Sequence, residues 1–526
     1  MKKYHILLPL LSVVFLFSCD KYLDVNPDNR ADVDNKTKIA GILVSAYPDN
    51  SYCYLAETSS DNIDRIDRFL QDNNRQHEEF FYWKDATEVG NDSPQTLWES
   101  FYKAIASANH ALAAIEKLGN ADGSLNPEKG EALLCRAYGH FVLVNLFCKN
   151  YGKTSESDMG IPYIDAPETT VSPKYERGTV AGVYAKIETD IEEALPLIRD
   201  DGYTVPKYHF NRKAAYAFAA RFFLYYRKYD KVISYASEVL GSDPLTALRD
   251  WRDAGSSSVY EIRGNAFVNT DNKANLLLQT SYGSWGYFDG PYNLARFYMH
   301  TPLLSGAETD ASAGPWGAGS TFFFRPVNLA LGRCAPYKMR AFFEYTDQVQ
   351  GIGYRHYVHP VFTSDETLLC RAEAYVLKND FDNATKDLSL FMKNYSSGTT
   401  LNQTNIQNFY NGIKYYDYGY DEVAKGDRFA VTVKKRLNPD FTIVSIEQEN
   451  FLHCVLHIRR ILTRGEGLRW FDIKRYGIEI YRRAISENNL IYKLDFLPVD
   501  DPRRALQLPM DVINAGLPKN PRNNDQ

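Results

Sequence analysis

The sequence predicts a mostly α-helical protein, and two observations lead to that prediction. Apolar residues recur every three or four positions through residues 97–115, 131–148 and 215–226, which is the periodicity of amphipathic helices. A further set of this kind runs from Leu368 to Val376. The patterns at residues 215–226 and 368–376 are each followed, after a short polar turn, by a second helical pattern.

These paired patterns look like tetratricopeptide units. Residues 215–226 lead into a helix that begins near residue 229, and residues 368–376 lead into one that begins near residue 380. An aspartate follows each turn, Asp230 in the first pair and Asp380 in the second, and is expected to cap the next helix. The pairs do not recur at the fixed 34-residue period of a regular solenoid, so an irregular helical scaffold is expected. A last strong helix is predicted over residues 446–463.

Residues 242–363 interrupt the helical pairs and differ in composition. Gly, Ser, Asn and aromatic residues dominate, as in residues 281–288 (SYGSWGYF) and 314–319 (GPWGAG). Long irregular insertions on a rigid frame are common places for binding residues. The chain is therefore expected to have a helical scaffold, mainly over residues 30–240 and 364–480, that supports a loop-rich, irregular ligand-binding face.

The N-terminus has the features of an export signal. Two lysines precede an apolar run from Ile6 to Phe17, which is too short to span a bilayer as a permanent helix. Cys19 follows the expected cleavage site, as in the lipobox of bacterial lipoproteins. We therefore expect residues 1–18 to be a signal peptide, residues 19–526 to be exported, and Cys19 to be acylated as a membrane anchor. An ordinary signal peptide with a chance cysteine is the alternative.

Charge and cysteine content exclude some classes of function. The 60 basic and 66 acidic residues nearly balance, so a nucleic-acid partner is not expected. The six cysteines after Cys19 are widely scattered, which favours buried free thiols over a disulfide framework or a metal site. Aromatic residues make up 14% of the chain, and proteins that grip sugars or peptides use such side chains as flat contact surfaces.

Short motifs spread over the chain resemble those of the SusD/RagB family of Bacteroidetes outer-membrane lipoproteins. Each motif is weak alone, but their order and spacing together are specific. The motifs are residues 19–24 (CDKYLD), 136–138 (RAY), 160–163 (GIPY), 466–472 (EGLRWFD), 508–510 (LPM) and 520–521 (NP).

The resemblance implies a SusD-like fold, in which four tetratricopeptide-like helix pairs support a loop-rich second face. It implies a non-enzymatic, surface-exposed lipoprotein that captures glycan oligosaccharides for a SusC-like TonB-dependent transporter in the outer membrane. Part of the family feeds peptides to its transporter, so a peptide-binding lid of a RagAB-type importer is the alternative. A ligand-free scaffold would leave the aromatic insertion unexplained. No cofactor and no metal are expected.

Candidate ligand-binding residues are chosen for sugar chemistry, which needs flat apolar faces and planar polar groups. Trp285, Tyr287, Tyr292 and Trp316 are preferred, because neighbouring glycines are expected to leave their faces open; packing against the helical frame is the alternative for each. The resemblance adds Trp83 and Asn91 as weakly aligned counterparts of sugar-binding residues. Asp64 and Arg68 are weaker candidates, with a solvated, salt-bridged helix start as their alternative.

No enzyme motif is present. His453 and His457 are spaced to share a helix face, but the residues between them lack the glutamate of an HExxH protease. No G-x-S-x-G nucleophile elbow and no phosphate-binding glycine loop occur. The sequence therefore favours binding over catalysis.

Overall fold

A computed structural model describes most of the chain. The described residues are 33–67, 74–170, 173–288, 297–329, 333–417, 419, 422–424, 432–488 and 490–523. Four of the predictions above lie outside these ranges: the signal peptide over residues 1–18, the acylation of Cys19, and the binding roles of Arg68 and Tyr292.

Helices dominate the described residues, which confirms the predicted fold class. Numbered α1 to α18 in chain order, they span Lys36–Leu43, Cys53–Ser59, Arg75–Phe81, Pro94–Leu118, Asn126–Phe147, Val180–Ala194, Arg212–Tyr225, Tyr229–Leu240, Trp251–Ala254, Tyr260–Phe267, Trp285–Phe288, Pro302–Glu308, Ser364–Leu377, Phe381–Tyr395, Gln403–Gly412, Ile446–Leu462, Leu468–Arg475 and Met510–Asn514. No helix within the described ranges is long and apolar enough to cross a bilayer.

Consecutive helices pack as pairs: α4 on α5, α7 on α8, α13 on α14, and α15 on α16. Two of these pairs turn through a residue with a left-handed backbone, Arg227 (φ 63°) between α7 and α8 and Asn379 (φ 60°) between α13 and α14. The Asp380 side chain accepts a hydrogen bond of 3.1 Å from the backbone N–H of Asn383, so its predicted capping role is confirmed. The same prediction is wrong for Asp230, which lies within the first turn of α8, where the N-cap is Lys228 and no side chain caps the helix. Helix α13 also packs on α8 and α16, which joins the pairs into one scaffold.

Strands form three sheets beside this scaffold. Numbered β1 to β10, they span Asp64–Ile66, Asn275–Tyr282, Tyr298–Met299, Val327–Leu329, Arg333–Ala335, Arg340–Asp347, Ile352–Thr363, Glu422–Ala424, Ile480–Ile485 and Leu490–Leu497. A five-stranded sheet has the order β3-β1-β9-β10-β8, a three-stranded antiparallel sheet has the order β2-β7-β6, and β4 pairs with β5.

The insertion over residues 242–363, which the sequence predicted to be loop-rich and irregular, contains the three-stranded sheet. Strands β6 and β7 form a long hairpin, and β2 pairs along the other edge of β7. The root of β2 is tied to the helical frame, because the Gln279 side-chain amide donates hydrogen bonds to the backbone oxygens of Pro48 (2.8 Å) and Asn50 (3.0 Å). The far end of the hairpin projects into solvent.

A buried cluster of charges joins helices α16 and α17 to Asp61 and to the end of α12. Arg469 Nε lies 2.8 Å from Asp61 Oδ1, Lys435 Nζ lies 2.6 Å from Asp61 Oδ2, and Arg460 Nη1 lies 2.7 Å from Glu308 Oε2. Burial alone would raise the pKa of Asp61, but the three surrounding cations hold it well below its ordinary value. Residue 469 belongs to the EGLRWFD motif, which therefore serves the fold.

The cysteines behave as the sequence predicted. Six of them are free and buried in the described part of the chain: Cys53, Cys135, Cys148, Cys334, Cys370 and Cys454.

Candidate functional site

An open cavity of about 500 Å³ lies between the helical scaffold and the projecting hairpin. It brings together a loop near the N-terminus, the first half of α4, and the ends of β2 and β7. Its lining residues are Asp49, Asn50, Asn91, Thr96, Glu99, Ser100, Lys103, Tyr282 and Tyr354. A cavity of this size suits a small ligand or one segment of a longer chain.

The polar wall of the cavity is one face of α4. The helix begins at Pro94, with Ser93 as its N-cap accepting a 3.1 Å hydrogen bond from the backbone N–H of Thr96. Thr96, Glu99 and Lys103 then follow at helical spacing, so they share the face opposite the buried apolar stripe of α4. This wall presents hydroxyl, carboxylate and ammonium groups to the cavity.

Ser100 fixes the N-terminal loop against this wall. Its hydroxyl donates to Asp49 Oδ1 at 2.7 Å and accepts from the backbone N–H groups of Asp49 (2.9 Å) and Asn50 (3.1 Å). The same loop is joined to the sheet, because the backbone N–H of Tyr282 donates to the Asp49 oxygen at 2.8 Å. Through Asp49, these hydrogen bonds hold helix α4 at a fixed distance from the end of strand β2.

The aromatic wall belongs to the three-stranded sheet. Tyr282 is 38% exposed, Tyr354 is 56% exposed and Phe342 is 37% exposed, and His356 lies among them. Ring centroids are 6.1 Å apart for Tyr282 and Tyr354, 6.2 Å for Tyr282 and His356, and 5.3 Å for Phe342 and His356. We call these four residues the aromatic row; they share one face of the sheet because side chains alternate along each strand.

Asp92 is next to the cavity-lining Asn91 and links the loop before α4 to the end of β2. The residue has a left-handed backbone (φ 66°) and accepts a 2.7 Å hydrogen bond from the backbone N–H of Ser284, just after β2. Its other oxygen, Oδ1, has no hydrogen-bond partner among the described residues. Burial raises the pKa of Asp92 from its ordinary 3.8 to about 7, opposed only by the hydrogen bond from Ser284.

The open faces expected for Trp285 and Trp316 are not present, and that prediction is wrong. Trp285 is 3% exposed, stacks on Tyr54, and donates from Nε1 to the Gly465 oxygen at 2.6 Å. Trp316 is fully buried. The neighbouring glycines allow close packing instead of openness: a Cβ on Gly286 would lie 2.8 Å from Tyr357 Cβ, and one on Gly314 would lie 2.3 Å from the Trp316 ring.

Trp83 and Asp64 are also buried. The Trp83 indole donates to the Ser59 oxygen at 2.8 Å, and the guanidinium carbon of Arg482 lies 4.1 Å from the centre of its ring. Asp64 accepts hydrogen bonds from Arg483 Nε at 2.9 Å and from the Thr301 hydroxyl at 2.8 Å. Asp64 is thus ion-paired, but within strand β1 and away from solvent, not at a solvated helix start.

Asn91 and Tyr287 lie close to the sheet in different positions. Asn91 is exposed and lines the cavity, and its binding role stays a prediction. Tyr287 is half-buried, and the guanidinium carbon of Arg355 lies 5.1 Å from the centre of its ring. Since Arg355 alternates with Tyr354 along β7, Tyr287 lies beside the face opposite the aromatic row.

The two spaced histidines are engaged with neighbouring side chains. His457 Nε2 lies 2.7 Å from the Ser312 hydroxyl, and its Nδ1 lies 3.0 Å from the Tyr410 hydroxyl. His453 Nε2 lies 3.6 Å from Glu449 Oε1. Within the described residues no group of three or more His, Cys, Asp or Glu side chains is arranged to hold a metal ion.

Tyr354 and Phe342 are site residues that sequence reasoning missed, and Tyr282 was not singled out. A signal for them exists: residues 352–358 (IGYRHYV) are rich in aromatic and β-branched residues, which favour a strand, and Thr96, Glu99 and Lys103 form a polar stripe on a predicted helix. Neither pattern alone shows that the two elements face each other.

Comparison with known proteins finds similarity to SusD-like proteins in sequence and in structure. Residues 21–224 match the family model SusD-like_3, described as "Starch-binding associating with outer membrane". A SusD superfamily protein from Bacteroides thetaiotaomicron is similar in structure (TM-score 0.62, 18% identity, covering 92% of this chain and 98% of that chain). No curated protein sequence matches the chain.

Two further solved structures share the fold. A SusD-like carbohydrate-binding protein from Bacteroides vulgatus has a TM-score of 0.60 at 16% identity and covers 91% of this chain and 96% of its own. A laminarin-binding SusD-like protein has a TM-score of 0.54 at 15% identity, with coverages of 93% and 99%. The chain thus has the SusD-like fold over nearly its whole length. The family-model match covers residues 21–224, and the similarity over the rest of the chain is one of fold.

Proposed function

We propose that the chain is a non-catalytic cell-surface lipoprotein that binds glycan oligosaccharides in the cavity between α4 and the three-stranded sheet. It then passes them to a SusC-like TonB-dependent transporter. The family description, with starch binding and outer-membrane association, supports the class of ligand and the location. The laminarin-binding relative supports a polysaccharide ligand.

One observation carries the proposal: exposed aromatic rings face a row of hydrogen-bonding side chains across an open cavity. The CH face of a pyranose ring is apolar and packs against a flat aromatic ring such as Tyr354, whereas its hydroxyls need planar or charged polar partners. Asn91, Glu99 and Lys103 supply such partners on the opposite wall. The cavity is open to solvent, so a long chain can enter along its length.

The proposed anchor is the lipid on Cys19. The sequence before this residue has the form of an export signal, and several acyl chains together hold a protein firmly on a bilayer. Such an anchor would place the cavity at the cell surface, where polysaccharides are first met.

The test uses the soluble protein that begins after Cys19, in affinity electrophoresis against starch, laminarin and other polysaccharides, and in calorimetry against mixed peptides. Tyr354→Ala is the test variant. Covering roughly 80 Å² of its ring contributes about 2 kcal/mol, so the Kd for the retarding glycan should rise about 30-fold.

Tyr345→Ala is the matched control. Tyr345 is 55% exposed on the same hairpin, but it pairs with Gly353 and lies on the face opposite Tyr354. The control should bind like the unmodified protein. Equal losses in the two variants would place the site elsewhere, and binding to peptides alone would favour the peptide-importing branch of the family.

A further inference from the structure

The charges around the cavity are unbalanced. Asp49 and Glu99 contribute carboxylates, and Lys103 is the one cation among the cavity-lining residues. Lys103 is already paired, with its Nζ 3.4 Å from Asp49 Oδ2. Glu99 accepts a 2.9 Å hydrogen bond from the neutral amide of Gln95 and has no cationic partner within the described residues. The polar wall is therefore net negative.

The sheet side adds to this imbalance. Glu344 lies directly across from Tyr354 in the β6–β7 register, so its carboxylate shares the face of the aromatic row. Arg355 lies on the other face, over Tyr287. Arg340 shares the face of Phe342, but two positions farther from the cavity, where its Nε donates to the Asn265 side chain at 3.1 Å.

Asp92, next to the cavity-lining Asn91, is a fourth acidic group, buried and without a cationic partner among the described residues. Burial raises its pKa to about 7, so it carries part of a negative charge at neutral pH. A ligand with acidic groups would meet the carboxylates of Asp49 and Glu99 on the polar wall and that of Glu344 on the sheet face that carries Tyr354.

We infer that the cavity takes uncharged glycans and discriminates against polyanionic ones, such as chains that carry uronic acid or sulfate groups. The inference rests on the glycan binding proposed above and narrows it to a class of substrate. Like charges repel at these exposed positions by about 0.2–1 kcal/mol per pair. An acidic sugar that meets two or more carboxylates should therefore bind about tenfold less tightly.

The experiment compares each polysaccharide with its own charged derivative. Starch and laminarin are used beside the same polymers oxidised at the primary hydroxyl to carboxylates, so that backbone and linkage are held constant. Affinity of the soluble protein is measured for each pair at low salt and at about 0.5 M salt, where screening shortens the reach of surface charges. The quantity of interest is the ratio of the two dissociation constants within a pair.

Glu99→Lys is the test variant, and Glu116→Lys is its control. Both residues are exposed on α4, but Glu116 is 17 residues along, or roughly 25 Å at 1.5 Å per residue, which exceeds the screening length of about 10 Å when the low-salt buffer is kept at about 0.1 M. In the unmodified protein the oxidised polymer should bind about tenfold more weakly at low salt. Glu99→Lys should reduce that ratio severalfold, and Glu116→Lys should not.

Each outcome bears on a different claim. Equal or tighter binding of the oxidised polymer by the unmodified protein would overturn the selectivity while leaving glycan binding intact. An identical change in the ratio for both lysine variants would show a general effect of net charge and would overturn the role of the cavity. If no polysaccharide of either kind is retarded, glycan binding itself fails, and the selectivity falls with it.

Discussion

Replacing Asp92 by asparagine is expected to stabilise the protein increasingly as the pH rises from 4.5 to 8. The carboxyl group is buried, has a pKa raised to about 7, and accepts its hydrogen bond from the Ser284 backbone. The amide of asparagine keeps an acceptor for Ser284 and places a neutral NH₂ group where the second carboxylate oxygen has no partner.

The sign follows from the direction of the shift. Because the folded pKa is above the unfolded value of 3.8, the folded state holds a proton that the unfolded state has lost between these two values. The free energy of unfolding contributed by Asp92 is therefore full below pH 3.8 and is lost as the pH rises through 7. At about 1.36 kcal/mol per pH unit, the loss between pH 4.5 and pH 8 amounts to about 3 kcal/mol.

The assay is urea unfolding of the unmodified protein and of Asp92→Asn at pH 4.5 and at pH 8. Effects of pH on all other groups are common to both proteins and cancel in the difference. The stability gained by the variant should be about 3 kcal/mol larger at pH 8 than at pH 4.5. A difference that is the same at both pH values would refute the argument, because it would mean that the buried carboxyl does not titrate in this interval.

Three other changes test the fold and the anchor. Trp285→Ala should lower the free energy of unfolding by about 3–5 kcal/mol, measured by urea denaturation, because it empties a packed site and removes the hydrogen bond to Gly465; a loss below 1 kcal/mol would contradict its burial. Asp61→Ala should cost about 3–5 kcal/mol in the same assay, since Arg469 and its neighbours would keep buried charges without their carboxylate, and an unchanged unfolding midpoint would argue against the cluster. Cys19→Ala should move the protein from the membrane fraction to the soluble fraction, whereas full acylation of that variant would disprove the lipoprotein assignment.

The helical scaffold could be predicted because its signals are local. The 3.6-residue periodicity of residues 446–463 depends only on neighbours along the chain, and the structure has a helix at Ile446–Leu462. The cap at Asp380 is equally local and was also predicted correctly. The structure of the insertion was harder to predict, because its glycines and aromatic residues suggested loops. Much of it instead forms a sheet, and the pairing within that sheet joins segments far apart in sequence, such as β2 and β7.

The candidate site, like the fold, could be predicted from the sequence only in part. The family resemblance suggested Asn91 as a weakly aligned candidate, and the sequence showed the aromatic character of the insertion; Asn91 lines the cavity. The sequence could not tell which aromatic rings are exposed, because that depends on what packs against each one. Trp285 is covered by Tyr54 and hydrogen-bonded to Gly465, whereas Tyr354 is on a projecting strand with nothing above it in the described part of the chain.

By itself, then, the sequence determined the helical class and the family resemblance, it lacks familiar catalytic motifs, and it predicts an export signal. All of these follow from the periodicity or order of residues along one chain. Only the tertiary structure decided where ligand-binding chemistry is possible, since Asn91, Tyr282 and Tyr354 come from three separate segments. Burial and the meeting of distant segments are properties of packing, and local sequence patterns do not encode them directly.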